Sequence, residues 1–415
     1  MKKLLLIIFV NLVAILYSQN NRVFIDAEQN FTSYYKEVKT WHDGSVLNES
    51  KADGYIYVKT NGKYYVVEDY YMGNVINAKL FGVKADGITD DTKSLQKAFD
   101  VCSAYGTTLF LPQGIIKTSG DLRINTTNKL KQKIRIVGSG ISNTIILNTG
   151  SSTKIALTVT GTYYDMLEMR DFRIERPNGG NASGGVGLKI EKEVYTSLEN
   201  IDIFRFDTGL VLNDVSTLYM KNVNTRWGNK GMVFKLENPG GSNPNLIEMH
   251  SCVINSNKEW GISVTNPHVV SFYNCCVEDN GLGGINVVYN NTNGANSINV
   301  DGSYFEGNSG YDVYIKSLGA GTHTFKGNSF NRVSDKKFVK HHIVLEIDNA
   351  LPSGYENTLD MSGNGFFSAG TYISNADNEA VKILSNKKKV KVYDSNNYRS
   401  LIEKPKYNSD IQVAN

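Results

Sequence analysis

The chain repeats itself most clearly in two stretches, IEMHSCVINSNKEWGISV at residues 247–264 and VSFYNCCVEDNGLGGINV at residues 270–287. With Ser251 and Asn274 taken as position zero, both copies place apolar residues four and two positions earlier and three positions later. Such alternation is typical of a strand with one buried face. Both copies also carry Asn six positions after zero and Gly-apolar-x-apolar from the tenth position, which predicts a further strand.

The same pattern continues in both directions along the chain. The residue two positions before zero is apolar in every copy, and the spacing between copies varies from 22 to 36 residues. A propeller blade needs ~40–45 residues, and leucine-rich repeats have a fixed consensus. The pattern therefore predicts an all-β parallel β-helix, whose coils of two or three short strands stack at ~4.8 Å. The residues at position zero are Asp171, Asn200, Asn222, Ser251, Asn274, Gly302, Gly327 and Gly363.

Two features of these corners predict stacked side chains. Six positions after zero, consecutive coils carry Asn257, Asn280 and Asn308, which we expect to form a structural ladder of hydrogen-bonded amides. One position after zero, Cys252 and Cys275 fall in adjacent coils, within the Cα distance that a disulfide needs. Parallel side-chain directions favour two unpaired thiols over a disulfide.

The beginning of the chain predicts export. Lys2 and Lys3 precede an apolar run from Leu4 to Leu16, and Ser18 follows, so we expect a signal peptide at residues 1–18. The run is shorter than the ~18–20 residues of a membrane span, so the mature chain is expected to have none and to be secreted, periplasmic or at the cell surface. With 38 Gly, 20% charged residues and a net charge of +3 in 415 residues, composition excludes a disordered polymer and indicates no nucleic-acid partner.

Residues 19–75 are expected to form a small accessory β segment, with a hairpin around Asn61-Gly62. The β-helix is then expected over residues 76–415. Its first helix should begin near Asp91, with Asp90 and Asp91 as structural acceptors at the helix start, and should run to about Ala104.

The segment FGVKADGITDDTKSLQKAFD at residues 81–100, followed by LFLPQGIIKTSG and IRIVGSG, resembles the opening of the pectate-lyase-like right-handed parallel β-helix superfamily. That superfamily includes rhamnogalacturonases, polygalacturonases, epimerase-like proteins and tailspike-like proteins. The resemblance implies that the helix caps the solenoid and that the protein is a carbohydrate-active enzyme, monomeric or homotrimeric. The Asn-Thr-Asp, Asp-Asp, Gly-His-Gly and Arg-Ile-Lys motifs of polygalacturonases do not occur in the central coils, so their mechanism is not expected here.

The candidate site lies four positions after zero, where side chains should point outward. Glu278 and Glu306 occupy this position in adjacent coils, so mutual repulsion should raise one pKa and create an acid and a base. Asp279 lies beside them, and Arg226 occupies the same position two coils earlier. These four are the candidate catalytic residues. One position further along, Arg176, Arg205 and Trp227 are the candidate substrate-binding residues, with cations for carboxylates and a flat ring for a sugar face.

Three functions fit these residues. A hydrolase would use one carboxyl as acid and the other as base. A polysaccharide lyase would neutralise a uronic acid carboxylate with Arg226 or with bound Ca²⁺ and remove the neighbouring proton. The third is a non-catalytic glycan-binding or adhesive surface protein. We expect a secreted lyase or glycoside hydrolase acting on an extracellular, acidic polysaccharide, with no certain cofactor and no assigned metal ligand.

Overall fold

The computed structural model describes residues 22–26, 31–127, 133–151, 154–163, 166–177, 184–237, 240–290, 296–332, 339–348, 356–368, 380–385, 390–399 and 411–414. The described strands form one 30-stranded parallel sheet and one 4-stranded antiparallel sheet. The parallel sheet winds as a β-helix, because each strand pairs with the equivalent strand of the next coil. The predicted fold is confirmed, with three strands in a complete coil.

The strands of each coil lie on three faces, A, B and C, in chain order. Face A holds β5 (Val75–Asn77), β7 (Thr108–Phe110), β10 (Ile134–Val137), β17 (Asn245–His250), β20 (Val269–Tyr273), β23 (Asn296–Asp301), β26 (Gly321–Lys326), β29 (Asn357–Ser362), β32 (Val390–Ser395) and β34 (Ile411–Ala414). Face B holds β6 (Asp86–Asp90), β8 (Gly114–Thr118), β11 (Thr144–Asn148), β18 (Val253–Asn255), β21 (Cys276–Glu278), β24 (Tyr304–Glu306), β27 (Ser329–Arg332), β30 (Gly365–Ser368) and β33 (Tyr398–Arg399). Face C holds β9 (Leu122–Asn125), β12 (Ile155–Thr160), β16 (Lys230–Lys235), β19 (Trp260–Thr265), β22 (Gly283–Tyr289), β25 (Gly310–Ser317), β28 (Val339–Ile347) and β31 (Val381–Ser385). Three longer strands span more than one face: β13 (Leu167–Glu175), β14 (Val186–Phe204) and β15 (Thr208–Arg226).

Position zero is the corner between faces A and B. All eight residues aligned there have a positive φ, from 51° at Ser251 to 66° at Asp171. Gly, Asn and Asp adopt this left-handed conformation most readily, which explains why they recur at the corner. Asn396, which the sequence alignment did not include, continues the series with a φ of 52°.

The interior of the solenoid is apolar. Inward residues of neighbouring coils stack and are fully buried, as Phe305, Phe330 and Phe366 do with ring centroids 4.9 and 5.1 Å apart. Burial of these large side chains drives the stacking of coils. His323 also points inward, and burial lowers its pKa to about 4, so it is neutral at physiological pH.

The predicted capping helix, Thr92–Tyr105, which is the first helix of the β-helix region, packs across the start of the solenoid and buries Leu95 and Phe99. Asp90 accepts a hydrogen bond from the backbone N–H of Thr92 at 3.0 Å, as expected of a residue at a helix start. The prediction for the Asp91 side chain was wrong. Its carboxylate accepts from the backbone N–H groups of residues 84 and 85, so it holds the preceding loop and does not cap the helix.

Before the helix lies the antiparallel sheet, with strands in the order β1 (Arg22–Asp26), β2 (Phe31–Val38), β4 (Lys63–Val67) and β3 (Tyr57–Thr60). The hairpin around Asn61-Gly62 is confirmed, and both residues have positive φ. A short helix, Glu68–Gly73, and two 3₁₀ turns, Glu49–Lys51 and Ala78–Phe81, complete this region. The signal peptide at residues 1–18 lies outside the described residues, and the domain boundaries stay predictions. No helix in the described part of the chain is long and apolar enough to cross a membrane.

The expected asparagine ladder is confirmed. The side-chain amide of Asn257 donates to Asn280 at 2.9 Å, and that of Asn280 donates to Asn308 at 3.0 Å, all three being buried. A second ladder, at the position after zero, joins Asn328 to Asn364 at 2.9 Å and Asn364 to residue 397 at 2.9 Å.

The cysteines one position after zero are buried free thiols. Cys252 and Cys275 stack in adjacent coils without forming a disulfide, as the parallel side-chain directions predicted. They therefore contribute to the core as small apolar side chains.

Candidate functional site

The candidate residues four positions after zero form one outward column on face B. Strand pairing places Phe204 opposite Arg226, Arg226 opposite Asn255, Asn255 opposite Glu278, and Glu278 opposite Glu306. The side-chain amide of Asn255 donates to the Glu278 carboxylate at 3.2 Å. The column thus brings an arginine, an amide and two carboxyl groups onto four successive coils, at the ~4.8 Å spacing of parallel strands.

The two glutamates have different environments. Burial, together with the charges of Glu278 and Asp279, raises the pKa of Glu306. Asp279 is exposed and adopts a φ of 57° at the corner that follows face B. The missing side chain of Gly307 leaves room for the Asp279 carboxylate, since a Cβ at Gly307 would lie 2.7 Å from its Oδ1. The corner therefore gathers three carboxyl groups.

Arg226 differs from Arg173 and Arg205, each of which pairs with a carboxylate. Its guanidinium lies 5.7 Å from the centroid of the Phe204 ring, and its Nε is buried without a hydrogen-bond partner. Within the described ranges, Arg226 forms no ion pair. A cation that lies over an aromatic ring and has N–H groups without hydrogen-bond partners is suited to bind a carboxylate.

The predicted substrate-binding residues one position further along have partners of their own. Arg205 pairs with Glu175 at 3.4 Å and lies 4.9 Å from the ring centroid of Trp227. Arg176 donates to the backbone carbonyls of residues 150 and 151 at 3.2 and 2.9 Å, so it braces the corner. Trp227 is 46% exposed and meets Phe204 edge to face at 5.2 Å. Among these three, Trp227 presents the most accessible surface for a sugar ring.

The sequence did not predict an aromatic platform at the start of face C, formed by Trp260, Tyr311 and Tyr314. Tyr314 lies 6.4 Å from Trp260 and 5.5 Å from Tyr311, between ring centroids. The platform depends on Gly283, which lies between Trp260 and Tyr311 in the strand register. A Cβ at Gly283 would lie 2.2 Å from the Trp260 ring, so the indole occupies the place of the missing side chain. The double glycine at residues 283–284 was the signal that could have revealed it.

Charged groups border the platform. The Tyr314 hydroxyl donates to the Glu346 carboxylate, and Lys316 pairs with the same carboxylate at 3.4 Å. Burial and the Glu346 charge raise the pKa of Tyr314, which therefore keeps its proton. The platform lies across one corner from Glu278 and Glu306, the acidic column. The chain from Glu306 to Tyr311 spans at most about 17 Å.

A second aromatic stack lies on face A, on the other side of position zero. The His250 ring lies 4.7 Å from Tyr273 and 5.0 Å from Tyr219, between centroids, and its Nε2 is 3.5 Å from a Glu248 carboxylate oxygen. The corner at position zero separates this stack on face A from Glu278 and Glu306 on face B.

The described residues bring no three His, Cys, Asp or Glu side chains into a group that could hold a metal ion. Bound Ca²⁺, one of the two ways considered for a lyase to neutralise a uronic acid carboxylate, has no such ligand group among the described residues, Glu278, Asp279 and Glu306 included.

Known proteins share this architecture. The A-module of mannuronan C-5 epimerase AlgE4 from Azotobacter vinelandii superposes with a TM-score of 0.59 and 17% identity, over 82% of this chain and 100% of the module. The enzymatically active domain of tailspike protein 2 from bacteriophage CBA120 gives a TM-score of 0.64 and 14% identity, over 90% of this chain and 54% of the other. At such identities the likeness concerns the fold alone.

Sequence comparison gives shorter matches. Alginate lyase 7 of Azotobacter vinelandii is 42% identical over 72 residues, which are 17% of this chain and 8% of the lyase. The chain thus spans only a small part of that relative's length. The model of the family described as rhamnogalacturonase A/epimerase, pectate lyase-like, matches residues 75–307, more than half of the chain. The chain belongs to this family.

Proposed function

We propose that this protein is an exported carbohydrate-active enzyme that cleaves an extracellular acidic polysaccharide by β-elimination at a uronic acid residue. The observation that carries the proposal is the unpaired guanidinium of Arg226 in the same outward column as Glu278 and Glu306. The relatives support the substrate class, because they include an alginate lyase and a mannuronan epimerase, both named for acidic polymers.

Arg226 is proposed to bind the sugar carboxylate. A guanidinium that is weakly hydrated and has free N–H groups binds a carboxylate through two parallel hydrogen bonds. Neutralising that carboxylate makes the neighbouring C–H more acidic, because the anion that forms on loss of the proton is stabilised. Hydrolysis has no such need for a cation at the sugar carboxylate, so Arg226 favours elimination.

Glu278 and Glu306 are proposed to be the base and the acid. The raised pKa of Glu306 favours this group as the acid, and Glu278, in the adjacent coil, is assigned as the base. Glu278 removes the proton next to the carboxylate, a carbon–carbon double bond forms, and the glycosidic carbon–oxygen bond breaks. Glu306 gives its proton to the departing oxygen. The products are an unsaturated uronate end and a new reducing end, so all atoms are accounted for without a co-reactant.

The aromatic platform is proposed to hold the sugar beyond the cleaved bond. Rings of Trp260 and Tyr311 offer flat apolar surface across the corner from the carboxyl groups. Sugar faces stack on such rings, and the neighbouring Lys316 and Glu346 provide hydrogen-bonding groups.

The test is a screen of the purified mature chain against alginate, polygalacturonate and neutral polysaccharides. Two products are measured: the ultraviolet absorbance of unsaturated ends and the number of reducing ends. Elimination gives both signals. New reducing ends without ultraviolet absorbance would show that the polymer is cleaved by hydrolysis and not by elimination.

The column is tested with Glu278→Gln, Glu306→Gln and Arg226→Gln. The glutamate variants should lower kcat by roughly 10²–10⁴-fold, as expected when a general acid or base is removed. Arg226→Gln should lower kcat/KM on the acidic polymer and have no effect on a polymer whose carboxylates are esterified. Glu237→Gln, at an exposed residue that pairs with Lys235 on face C, is the control and should match the unmodified protein. Unchanged activity in Arg226→Gln would reject the role given to this column.

The aromatic platform also favours a second candidate, a non-catalytic glycan-binding surface protein, because exposed rings bind sugars without any chemistry. Retention on a polysaccharide without release of products, across the whole panel, would select this function over the enzyme.

A further inference from the structure

The N-terminal region contains a cavity that the proposed active site does not use. The antiparallel sheet and the short helix Glu68–Gly73 enclose a cavity of about 480 Å³. Its wall includes Lys39, Trp41, His42, Tyr57, Tyr70 and Tyr71. A cavity of this size, lined by rings and a few polar groups, has the properties of a small-ligand site.

The floor of the cavity is aromatic and buried. Tyr57 and Tyr70 are 3% and 8% exposed, and their ring centroids are 6.2 Å apart in an edge-to-face arrangement. Trp41 lies 6.3 Å from Tyr57. Behind them, Tyr105 of the first helix contacts all three rings, at 5.5 to 6.2 Å, and donates a hydrogen bond to Asp53. The floor is therefore held in place by the helix that caps the solenoid.

The mouth of the cavity is positively charged. Lys39 is exposed on its wall, and the Lys36 ammonium lies 4.1 Å from the ring centroid of Tyr71, which is 50% exposed. Neither lysine forms an ion pair with any residue in the described ranges. Burial lowers the pKa of His42, which is therefore neutral at pH 7 and able both to donate and to accept hydrogen bonds.

Buried rings below a polar, cationic mouth match the two sides of an acidic sugar, which has an apolar face, hydroxyl groups and a carboxylate. A purely apolar ligand would leave the lysines without a partner. The cavity is also far from the acidic column. Tyr105, which contacts the cavity floor, lies three residues before β7, the first strand of the first full coil. That coil contains Thr118 on face B, and Glu306 lies seven strand spacings further along the same face, which is ~34 Å along the axis.

We propose that this cavity binds a sugar unit of the acidic polysaccharide and holds a long polymer at a second point. The inference rests on the proposed function for the identity of the polymer. Two linked contacts on one chain strengthen overall binding, because the second contact forms at a high effective concentration. Short oligosaccharides cannot reach both places, so only the long polymer should gain.

The test compares Tyr71→Ala and Lys39→Ala with Tyr34→Ala. Tyr34 is a matched control, because it lies in the same sheet, is 52% exposed and does not line the cavity. Each change is made in the full chain, alone and together with Glu306→Gln, which prevents turnover. Binding to immobilised alginate and polygalacturonate is measured, and kcat/KM is measured on the polymer and on tetrasaccharides prepared from it.

Tyr71→Ala and Lys39→Ala should each weaken binding to one of the immobilised polymers about tenfold and lower kcat/KM on that polymer, with no change on the tetrasaccharide. Tyr34→Ala should change neither. Equal affinity of all variants for every polymer would overturn the proposal. If no substrate is cleaved but Tyr71→Ala still weakens binding, the cavity proposal stands and only the enzymatic function fails.

Discussion

Two columns of identical side chains lie two residues apart in the same coils, and they behave in opposite ways. Asn257, Asn280 and Asn308 point inward and form a ladder in which each amide contacts the next. Glu278 and Glu306 point outward, and burial together with the charges of Glu278 and Asp279 raises the pKa of Glu306. A β-helix places like residues ~4.8 Å apart whatever their chemistry.

The difference arises from the hydrogen-bond donors and acceptors that each side chain presents to the identical side chain in the next coil. An amide has both a donor and an acceptor, so identical amides stacked along an axis satisfy each other. Ionised carboxylates have acceptors only, and two of them in register are destabilising unless one keeps its proton. Stacking therefore stabilises the fold at the asparagines and opposes ionisation at Glu306.

The largest expected effect comes from placing a carboxylate in the ladder with Asn280→Asp. The Asn280 amide donates to Asn308 at 3.0 Å and to the carbonyl of Ile254 at 3.1 Å, and an ionised carboxylate donates to neither. The free energy of unfolding at pH 7 should fall by about 5 kcal/mol, because a buried charge loses hydration without gaining a partner. Urea denaturation monitored by circular dichroism measures it.

The stability loss caused by Asn280→Asp should be smaller at low pH. Burial raises the pKa of the new carboxyl group in the folded state, so its stability deficit is smallest below the ordinary Asp pKa of about 3.9 and grows as the pH rises through the folded value. A deficit that does not change with pH would contradict the comparison between the two columns.

The next effect is that of deleting the amide with Asn280→Ala, which removes the acceptor of the Asn257 amide and the hydrogen bonds that Asn280 donates to the Ile254 carbonyl and to Asn308. Unfolding free energy should fall by about 3 kcal/mol. Asn286→Ala, which removes the same amide from the outward side of face C, is the matched control and should cost less than about 0.5 kcal/mol. Comparable losses in the two variants would show that the ladder is no stronger than a surface amide.

The smallest effect is expected when amides replace both carboxyl groups of the acidic column, in the double variant Glu278→Gln and Glu306→Gln. Removing two like charges in register should raise the unfolding free energy by about 0.5 kcal/mol at pH 7. In the unmodified protein the pKa of Glu306 is higher in the folded state, so stability should fall as the pH rises from about 4.3 through that folded value.

This fall in stability should disappear in the double variant and persist in Glu248→Gln, which changes an outward glutamate on face A. Measurement of the urea midpoint from pH 4 to pH 8 distinguishes these outcomes. Persistence of the fall in the double variant would mean that another group is responsible.

The register of the columns was predictable because each of the eight aligned coils, from Asp171 to Gly363, has a left-handed residue at the corner between faces A and B. That conformation selects Gly, Asn, Asp or Ser, so the corners align without a structure and carry the position of Glu278 and Glu306 with them. The aromatic platform was not predicted because it depends on the missing side chain of Gly283, whose place the Trp260 ring occupies. The order of the N-terminal sheet escaped too, since β2 pairs with β4 across a long separation that local pattern does not encode.

The shared corner also makes the length of the solenoid adjustable in whole-coil steps. Ser251 and Asn274 have the same backbone conformation, with φ values of 51° and 53°. Excision of residues 251–273 would therefore join one coil to the next without disturbing the register. Arg226 would then stand directly opposite Glu278, and the two charges would neutralise each other. A solenoid can lose a coil and keep its architecture, while the number of coils between two side chains decides which reactions they can share.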